Sequence, residues 1–348
     1  MDDVTHDRPT CGTLGGVQTT PSPPPRAALR RPALRPGVHV LRRSRDELQV
    51  GLDPHHALVL PSGDPYRTTL DALASPAASG AAAQRYDAVT LSLLDDAGLL
   101  VDYDTLLPLV PSGPGATAPC PRTDVAAVAT ATGDAVAETL ARRAAHPVEV
   151  RSCGDPAAGE VARLVTDLLT GGGCRATAQN AASPRTVGPT PAEPIAAVLV
   201  VVGEPARELV DDWVRDGTPH VLLRLTEGRV LLGPFVVPGA TACLRCLDAH
   251  HTDVDPAWPL LVAQYAAATE RGRADALPEP VDSLLATLAA AWAARDMVTY
   301  LEGRSPSTAS TTLLLDARLG SLEAQTWARH PACGCSWTEK PAHTWTRS

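Results

Sequence analysis

The sequence predicts a two-domain α/β chain: a small winged helix-turn-helix unit, then a doubly wound Rossmann-type α/β domain closed by a four-cysteine knuckle. Three observations carry this. Within residues 37–103, short apolar segments bounded by turn residues give way to two helical patterns. A continuous apolar run, "IAAVLVVVG" (195–203), is flanked by helical patterns, as a parallel-sheet strand covered on both faces would be. "CLRC" (243–246) has a counterpart in "CGC" (333–335).

Residues 1–36 are rich in Pro, Arg and Thr and read as a disordered tail. "GVHVLRRS" (37–44), "ELQVGL" (47–52) and "HALVLP" (56–61) read as three short strands separated by "SRD" and "DPH". Helical patterns follow over 65–75 and 82–100, with Val89, Leu93 and Leu94 at helical spacing and Gly98 as the stop. Three strands and about three helices in so short a segment predict the winged helix. Residues 104–123, dense in Pro and Gly, read as a linker. The second domain spans 124–337: a helix over 124–145, the strand "PVEVRSCG", a helix ending in "GGG", the apolar strand, the helix "EPARELVDDWVRDG" and two strands in "HVLLRLTEGRVLLGPFVVPG". Residues 338–348 read as a second tail.

Composition excludes several classes. The 348 residues carry a net charge of −9, no footprint for nucleic acid or an anionic membrane. The N-terminus lacks the basic and apolar regions of a signal peptide, and no apolar run spans a bilayer: "SLLATLAAAWAARDMVTYL" is broken by Arg295 and Asp296. A reducing, cytoplasmic setting is therefore expected. The sole lysine is Lys340, in the C-terminal tail, which leaves no lysine for a P-loop or a Schiff base in the folded region.

In a reducing setting, clustered cysteines serve as metal ligands or catalytic groups rather than disulfides. Cys243, Cys246, Cys333 and Cys335 supply four thiolates, the donor set that closes a tetrahedral structural zinc site with no open position. The alternative is two independent, metal-free pairs. His330 is the substitute ligand if one cysteine is spared; His250 and His251 read as solvated polar positions and Trp258 as a packing residue. Cys11, Cys120, Cys153 and Cys174 are scattered and read as free thiols.

In a doubly wound fold, the first strand-to-helix turn cradles phosphate on glycines and helix N–H groups. Here that turn is "SCGDPAAGE": Gly154 and Gly159 do not fit GxGxxG, Asp155 would face the phosphates, and Pro156 removes a donor. The alternative is an ordinary tight turn with Asp155 as N-cap. The apolar strand ends in Gly203 and Glu204 where magnesium chemistry wants an aspartate. ATP is not expected as a cofactor.

The stretch "VGPFVVPGATACLRCLDAHHTDVDPAWP", the long helix at 281–302 and the terminal "HPACGCSW" resemble the ubiquitin-activating and ThiF-type adenylyltransferase superfamily, in its degenerate branch from peptide-natural-product pathways. Residues 37–103 are similar to the precursor-peptide recognition element fused ahead of that domain. Together they resemble the leader-peptide-binding partner of a YcaO cyclodehydratase, which makes azolines from Cys, Ser or Thr. The resemblance implies a ThiF-like second domain, zinc on the four cysteines and no ATP chemistry of the chain's own, since that resides in the YcaO partner, expected here as a separate chain. The second pair is CxC where the active enzymes have CxxC. The superfamily commonly dimerises through this domain, which leaves a homodimer open.

A recognition element of this type takes up an extended peptide as an added strand. The strand at His56–Leu60 and the helix near Ala88–Asp95 would form the groove, with Leu58, Leu60, Val89 and Leu93 as walls; plain core packing is the alternative for each. Arg67 and Arg85 are candidates for pairing acidic leader residues, or contact nothing. The function expected is a non-catalytic scaffold that binds a ribosomal precursor by its leader and presents it to the cyclodehydratase. An ATP-dependent adenylyltransferase acting on a peptide or protein carboxylate is the alternative. A winged-helix transcription factor is disfavoured, because "AQRYDAVTLSLLDD" would bring three aspartates toward phosphates.

Overall fold

A computed structural model describes residues 29–54, 56–76, 86–110, 120–180, 196–271, 279–319 and 322–337. Residues 1–28 of the expected N-terminal tail, the C-terminal tail at 338–348, Arg85, and residues 111–119 of the expected linker lie outside the described residues. The linker's described ends are structured: a helical turn over Tyr103–Leu106 runs into a 3-10 turn at Leu107–Leu109, and a helix begins at Arg122.

The N-terminal unit comprises β1 (Pro32–Leu34), β2 (Val40–Arg42), β3 (Glu47–Val50), β4 (Leu58–Pro61), α1 (Tyr66–Ala74), α2 (Ala88–Asp96), β5 (Leu100–Asp102) and the single turn α3 (Tyr103–Leu106). β2, β3 and β4 form an antiparallel sheet in that order, so one edge of β4 carries no strand among the described residues. Asp87 caps α2 by accepting the Thr90 N–H at 2.8 Å, and Gly98 ends it at φ 65°, in the left-handed region the reversal requires. Val50, Leu60, Leu70, Leu73 and Leu94 form the core of this unit.

β1 departs from the sequence expectation. Pro32–Leu34 falls in the stretch read as tail, yet pairs antiparallel with Leu100–Asp102. Ala33 and Val101 are both buried, so the short pair is held by side-chain packing as well as its ladder.

The second unit comprises α4 (Arg122–Thr132), α5 (Val136–Ala145), β6 (Pro147–Cys153), α6 (Pro156–Gly171), β7 (Arg175–Asn180), β8 (Ala196–Val202), α7 (Glu208–Asp216), β9 (His220–Thr226), β10 (Arg229–Val236), α8 (Leu244–Val254), α9 (Trp258–Arg271), α10 (Ser283–Leu301), β11 (Thr311–Leu315), β12 (Glu323–Thr326) and a 3-10 turn at Gly334–Trp337. The expected single helix over 124–145 is two, because Gly133 takes φ 56° and breaks the run.

One mixed sheet runs β12-β11-β10-β9-β8-β6-β7. β7, β6, β8 and β9 are parallel. β10, β11 and β12 are antiparallel, so the doubly wound expectation holds for half of the sheet. The reason lies in "TEGR": Glu227 and Gly228 both take positive φ, 52° and 73°. A two-residue turn of that kind closes a hairpin and is far too short for a parallel crossover.

β8 is buried at all seven positions, as its continuous apolar run requires. α6 and α10 cover one face of the sheet. α10 presents Ala286, Ala289, Ala290 and Ala293, whose small side chains let it lie close against the sheet. Asp296, which interrupts the apolar pattern of α10, is 3% exposed and accepts from the N–H and hydroxyl groups of Ser307 and Thr308. A buried carboxylate so satisfied ties the helix to the segment entering β11. α7 and α8 pack on the opposite face, around Trp213, Leu222 and Leu244. No helix among the described residues is long and apolar enough to cross a membrane.

Candidate functional site

Cys243 is the residue before the first turn of α8 and Cys246 lies in that turn, so their spacing puts both sulfurs on one side of the helix start. The helix N-terminus favours thiolates there. Cys333 and Cys335 come from the 3-10 turn and its approach, with Gly334 between them. The Cys333 N–H donates to the His330 carbonyl at 3.0 Å, which curls the loop toward α8.

The four sulfurs converge. Cys243 and Cys246 Sγ are 3.7 Å apart, Cys243 and Cys333 3.6 Å, and Cys246 and Cys335 3.4 Å. All four lie within 4.8 Å of one another, and all four residues are buried. A tetrahedral ion with metal–sulfur bonds of about 2.3 Å needs sulfurs about 3.8 Å apart. The donor set therefore fits a metal ion, and the CxC spacing is no obstacle. Hydrogen bonding within the cluster pushes the Cys243 thiol well above its ordinary value and holds Cys246 well below it, while burial pushes Cys333 up to about 12. A divalent cation would let the four thiols ionise together.

The histidines have other work. His330 Nδ1 accepts the Ala332 N–H at 3.2 Å, which leaves Nε2–H to donate to Asp253 Oδ2 at 2.9 Å. With both ring nitrogens engaged, His330 orients the cysteine loop instead of standing in as a ligand. His250 and His251 are half-buried, against the expectation of solvated positions: His250 Nε2 lies 2.9 Å from the Ala328 carbonyl, and His251 stacks on Trp258 with ring centroids 4.3 Å apart. Burial lowers the His251 pKa from its ordinary value, with the nearby Arg224 charge adding to it. Trp258 is the packing residue expected, and its indole N–H donates to Asp248 at 3.0 Å.

Gly154 and Gly159 sit at the βα turn of β6, beside the point where the parallel strand order reverses, the ligand crevice of a doubly wound sheet. Gly154 takes φ +85°, and Asp155 caps α6 by accepting the Ala157 N–H at 2.8 Å. That amide is thereby committed, and Pro156 has none. Thr269 of α9 packs against Gly203 and Gly154: a Cβ at Gly203 would lie 2.4 Å from Thr269 Oγ1, and one at Gly154 3.8 Å from Thr269 Cγ2. α9 is pinned over the strand ends by Tyr265, whose hydroxyl is 2.9 Å from Thr226 Oγ1.

Sequence reasoning missed a buried charge network beside the crevice. Arg207 donates to both carboxylate oxygens of Asp248, at 2.8 and 2.7 Å, and to Glu204 Oε2 at 2.8 Å; Arg224 donates to Glu204 Oε1 at 2.9 Å. Burial would raise the Asp248 pKa, but the Arg207 bonds and charge outweigh it and hold the carboxyl below its ordinary value. The only sequence signal was Glu204, directly after an apolar strand.

The expected groove residues divide. Leu60 is 4% exposed and belongs to the core, because its side chain points to the covered face of its sheet. Leu58 is half-buried on the same face. Val89 and Leu93 on α2 are 61% and 38% exposed, and Val59, which the sequence reading passed over, is 41% exposed on β4. Arg67 is exposed on α1.

No protein-family model and no curated protein matches this sequence. Solved structures do match. The heterocyclase TruD superposes with a TM-score of 0.59 at 17% identity, over 88% of this chain and 42% of that one. A heterocyclase solved with substrate and cofactor gives 0.57 at 18% identity, over 87% and 39%. E. coli MccB gives 0.54 at 12% identity, over 88% of this chain and 99% of its own. The chain thus spans about two fifths of the length of the heterocyclases and nearly all of MccB. The chain shares its fold with TruD and MccB.

Proposed function

We propose that this chain is a non-catalytic, leader-peptide-binding scaffold that captures a ribosomal precursor peptide and presents it to a separate YcaO cyclodehydratase for azoline formation. The observation that carries this reading is Thr269 against Gly203 and Gly154. We read this contact as α9 closing over the crevice in which a nucleotide would sit, which favours a non-catalytic role. Likeness in fold to a heterocyclase, and to a microcin C7 biosynthetic enzyme solved with the peptide MccA, supports a role in peptide modification.

The N-terminal unit acts as a winged-helix recognition element. The edge of β4 that carries no strand among the described residues would offer alternate backbone N–H and C=O groups to an extended peptide, with Leu58 and the exposed Val89 and Leu93 of α2 as the proposed apolar walls. Arg67 and Arg85 are the arginines that would meet acidic leader residues. The four cysteines hold zinc, which supplies no chemistry there because four thiolates leave no open position. The clasp fastens the C-terminal segment to α8.

Titration of a fluorescently labelled precursor leader into the full chain tests the reading. Val89→Asp and Leu93→Asp, both on an exposed helix face, are expected to weaken binding about tenfold or more without lowering the melting temperature. Unchanged affinity in both variants removes α2 from the groove. MccB has been solved with ATP, so the adenylyltransferase reading predicts ATP–pyrophosphate exchange dependent on a peptide carboxylate.

A further inference from the structure

Beside the cysteine cluster, and sharing no ligand atom with it, three further donor groups converge: His250 and Asp253 on α8, and His330 on the loop before Cys333. The i, i+3 spacing puts His250 and Asp253 on one face of the helix. Both lie in its last two turns, where the negative end of the helix dipole favours a cation. One ligand atom from each of the three residues lies within 4.8 Å of the other two. His330 Nε2 and Asp253 Oδ2 are 2.9 Å apart, and the His250 and His330 rings meet edge to face with centroids 4.8 Å apart. His250 Nε2 lies 2.9 Å from the Ala328 carbonyl, a contact that only Nε2–H makes. Its Nδ1 therefore keeps its lone pair, and it meets no donor among the described residues. A backbone carbonyl on the far ring nitrogen is how a metal-bound histidine is held.

We propose that His250, Asp253 and His330 form a second metal site, which takes a divalent transition ion of the zinc, cobalt or nickel kind. Two imidazoles and one carboxylate suit such ions, whereas magnesium and calcium want oxygen throughout. Metal bonds of about 2.0–2.2 Å set ligand atoms about 3–4 Å apart. The His330–Asp253 pair is already at that spacing, and a small rotation of the half-buried His250 ring closes the set. Coordination through His330 Nε2 moves its hydrogen to Nδ1, at the expense of the Ala332 bond, the longer of the two that this ring makes, at 3.2 Å. The bound ion ties the end of α8 to the loop that carries Cys333. Three ligands, with the Asp253 side chain 65% exposed, hold an exchangeable ion that a chelating resin removes, unlike an ion among four buried thiolates. The site stands whether or not the chain binds a leader.

Cobalt(II) titration of the zinc-loaded, resin-treated full chain tests it, read by calorimetry and visible absorption with released zinc measured in parallel. A single further equivalent of cobalt is expected to bind, with no thiolate-to-cobalt charge-transfer band and no zinc released. Asp253→Asn keeps an oxygen to accept from His330 Nε2–H while removing the ligand's charge. It should weaken cobalt binding about tenfold or more and leave the melting of the metal-free chain unchanged. His250→Gln should weaken binding likewise. No cobalt binding, binding only with a thiolate band and zinc release, or undiminished binding in either variant overturns the proposal and leaves His330 and Asp253 as a hydrogen-bonded pair.

Discussion

Thr269 on α9 and Gly203 at the end of β8 are in mutual contact that leaves no room for a Cβ: one placed on Gly203 would lie 2.4 Å from Thr269 Oγ1. Gly203 also takes φ +84°, a conformation other residues rarely adopt. Gly203→Ala should therefore cost about 1–3 kcal/mol and loosen α9. The check is chemical denaturation with limited proteolysis in parallel, and the expected new cleavage sites lie in 258–271.

The cysteine clasp joins residues far apart in sequence, so its loss should act on the second unit. Cys335→Ser is expected to lower bound zinc well below one equivalent and to destabilise residues 120–337 by about 3 kcal/mol or more. The N-terminal unit, whose core is its own, should keep its melting transition. Metal analysis and calorimetry read both effects. Unchanged zinc and melting would remove the clasp.

His220 is fully buried beside Trp213, and burial pushes its pKa down to about 4. Its Nδ1 lies 2.9 Å from the Thr218 carbonyl, and Nε2 has no partner among the described residues. The folded chain resists protonation that the unfolded chain accepts below about pH 6.5. Stability from this residue is thus complete above that pH and is lost as pH falls toward 4, amounting to about 3 kcal/mol. Denaturation midpoints between pH 7 and 4 should show this slope, and His220→Phe should flatten it.

The Arg207–Asp248 pair predicts strong coupling. Removing one partner leaves a buried charge, so Arg207→Met or Asp248→Leu alone should cost about 3–5 kcal/mol, and the double variant less than their sum. A double-mutant cycle by urea unfolding measures the difference.

What could be read from sequence depended on local pattern. The cysteine quartet was legible because only two close-spaced cysteine pairs occur, and β8 because seven apolar residues run without a break. The antiparallel half of the sheet was encoded locally, in the Glu227–Gly228 turn, but two strands in succession were read as further members of the parallel set. β1 escaped because three residues in a Pro- and Arg-rich stretch become a strand only by pairing with Leu100–Asp102. Leu60 was placed in the groove because alternation shows two faces of a strand without saying which is covered. The ion network and the Thr269 plug were beyond reach for one physical reason: their partners meet through tertiary packing, at separations no motif fixes.

The measurement that bears most directly on the account is leader-peptide affinity with and without ATP and magnesium, paired with an ATP–pyrophosphate exchange assay on the same protein. The account predicts one affinity in both conditions and no exchange above background, because on the proposed reading α9 closes the crevice, and Asp155 has taken the helix amide. Binding that requires ATP, or exchange stimulated by the peptide, would contradict it and make the chain an adenylyltransferase.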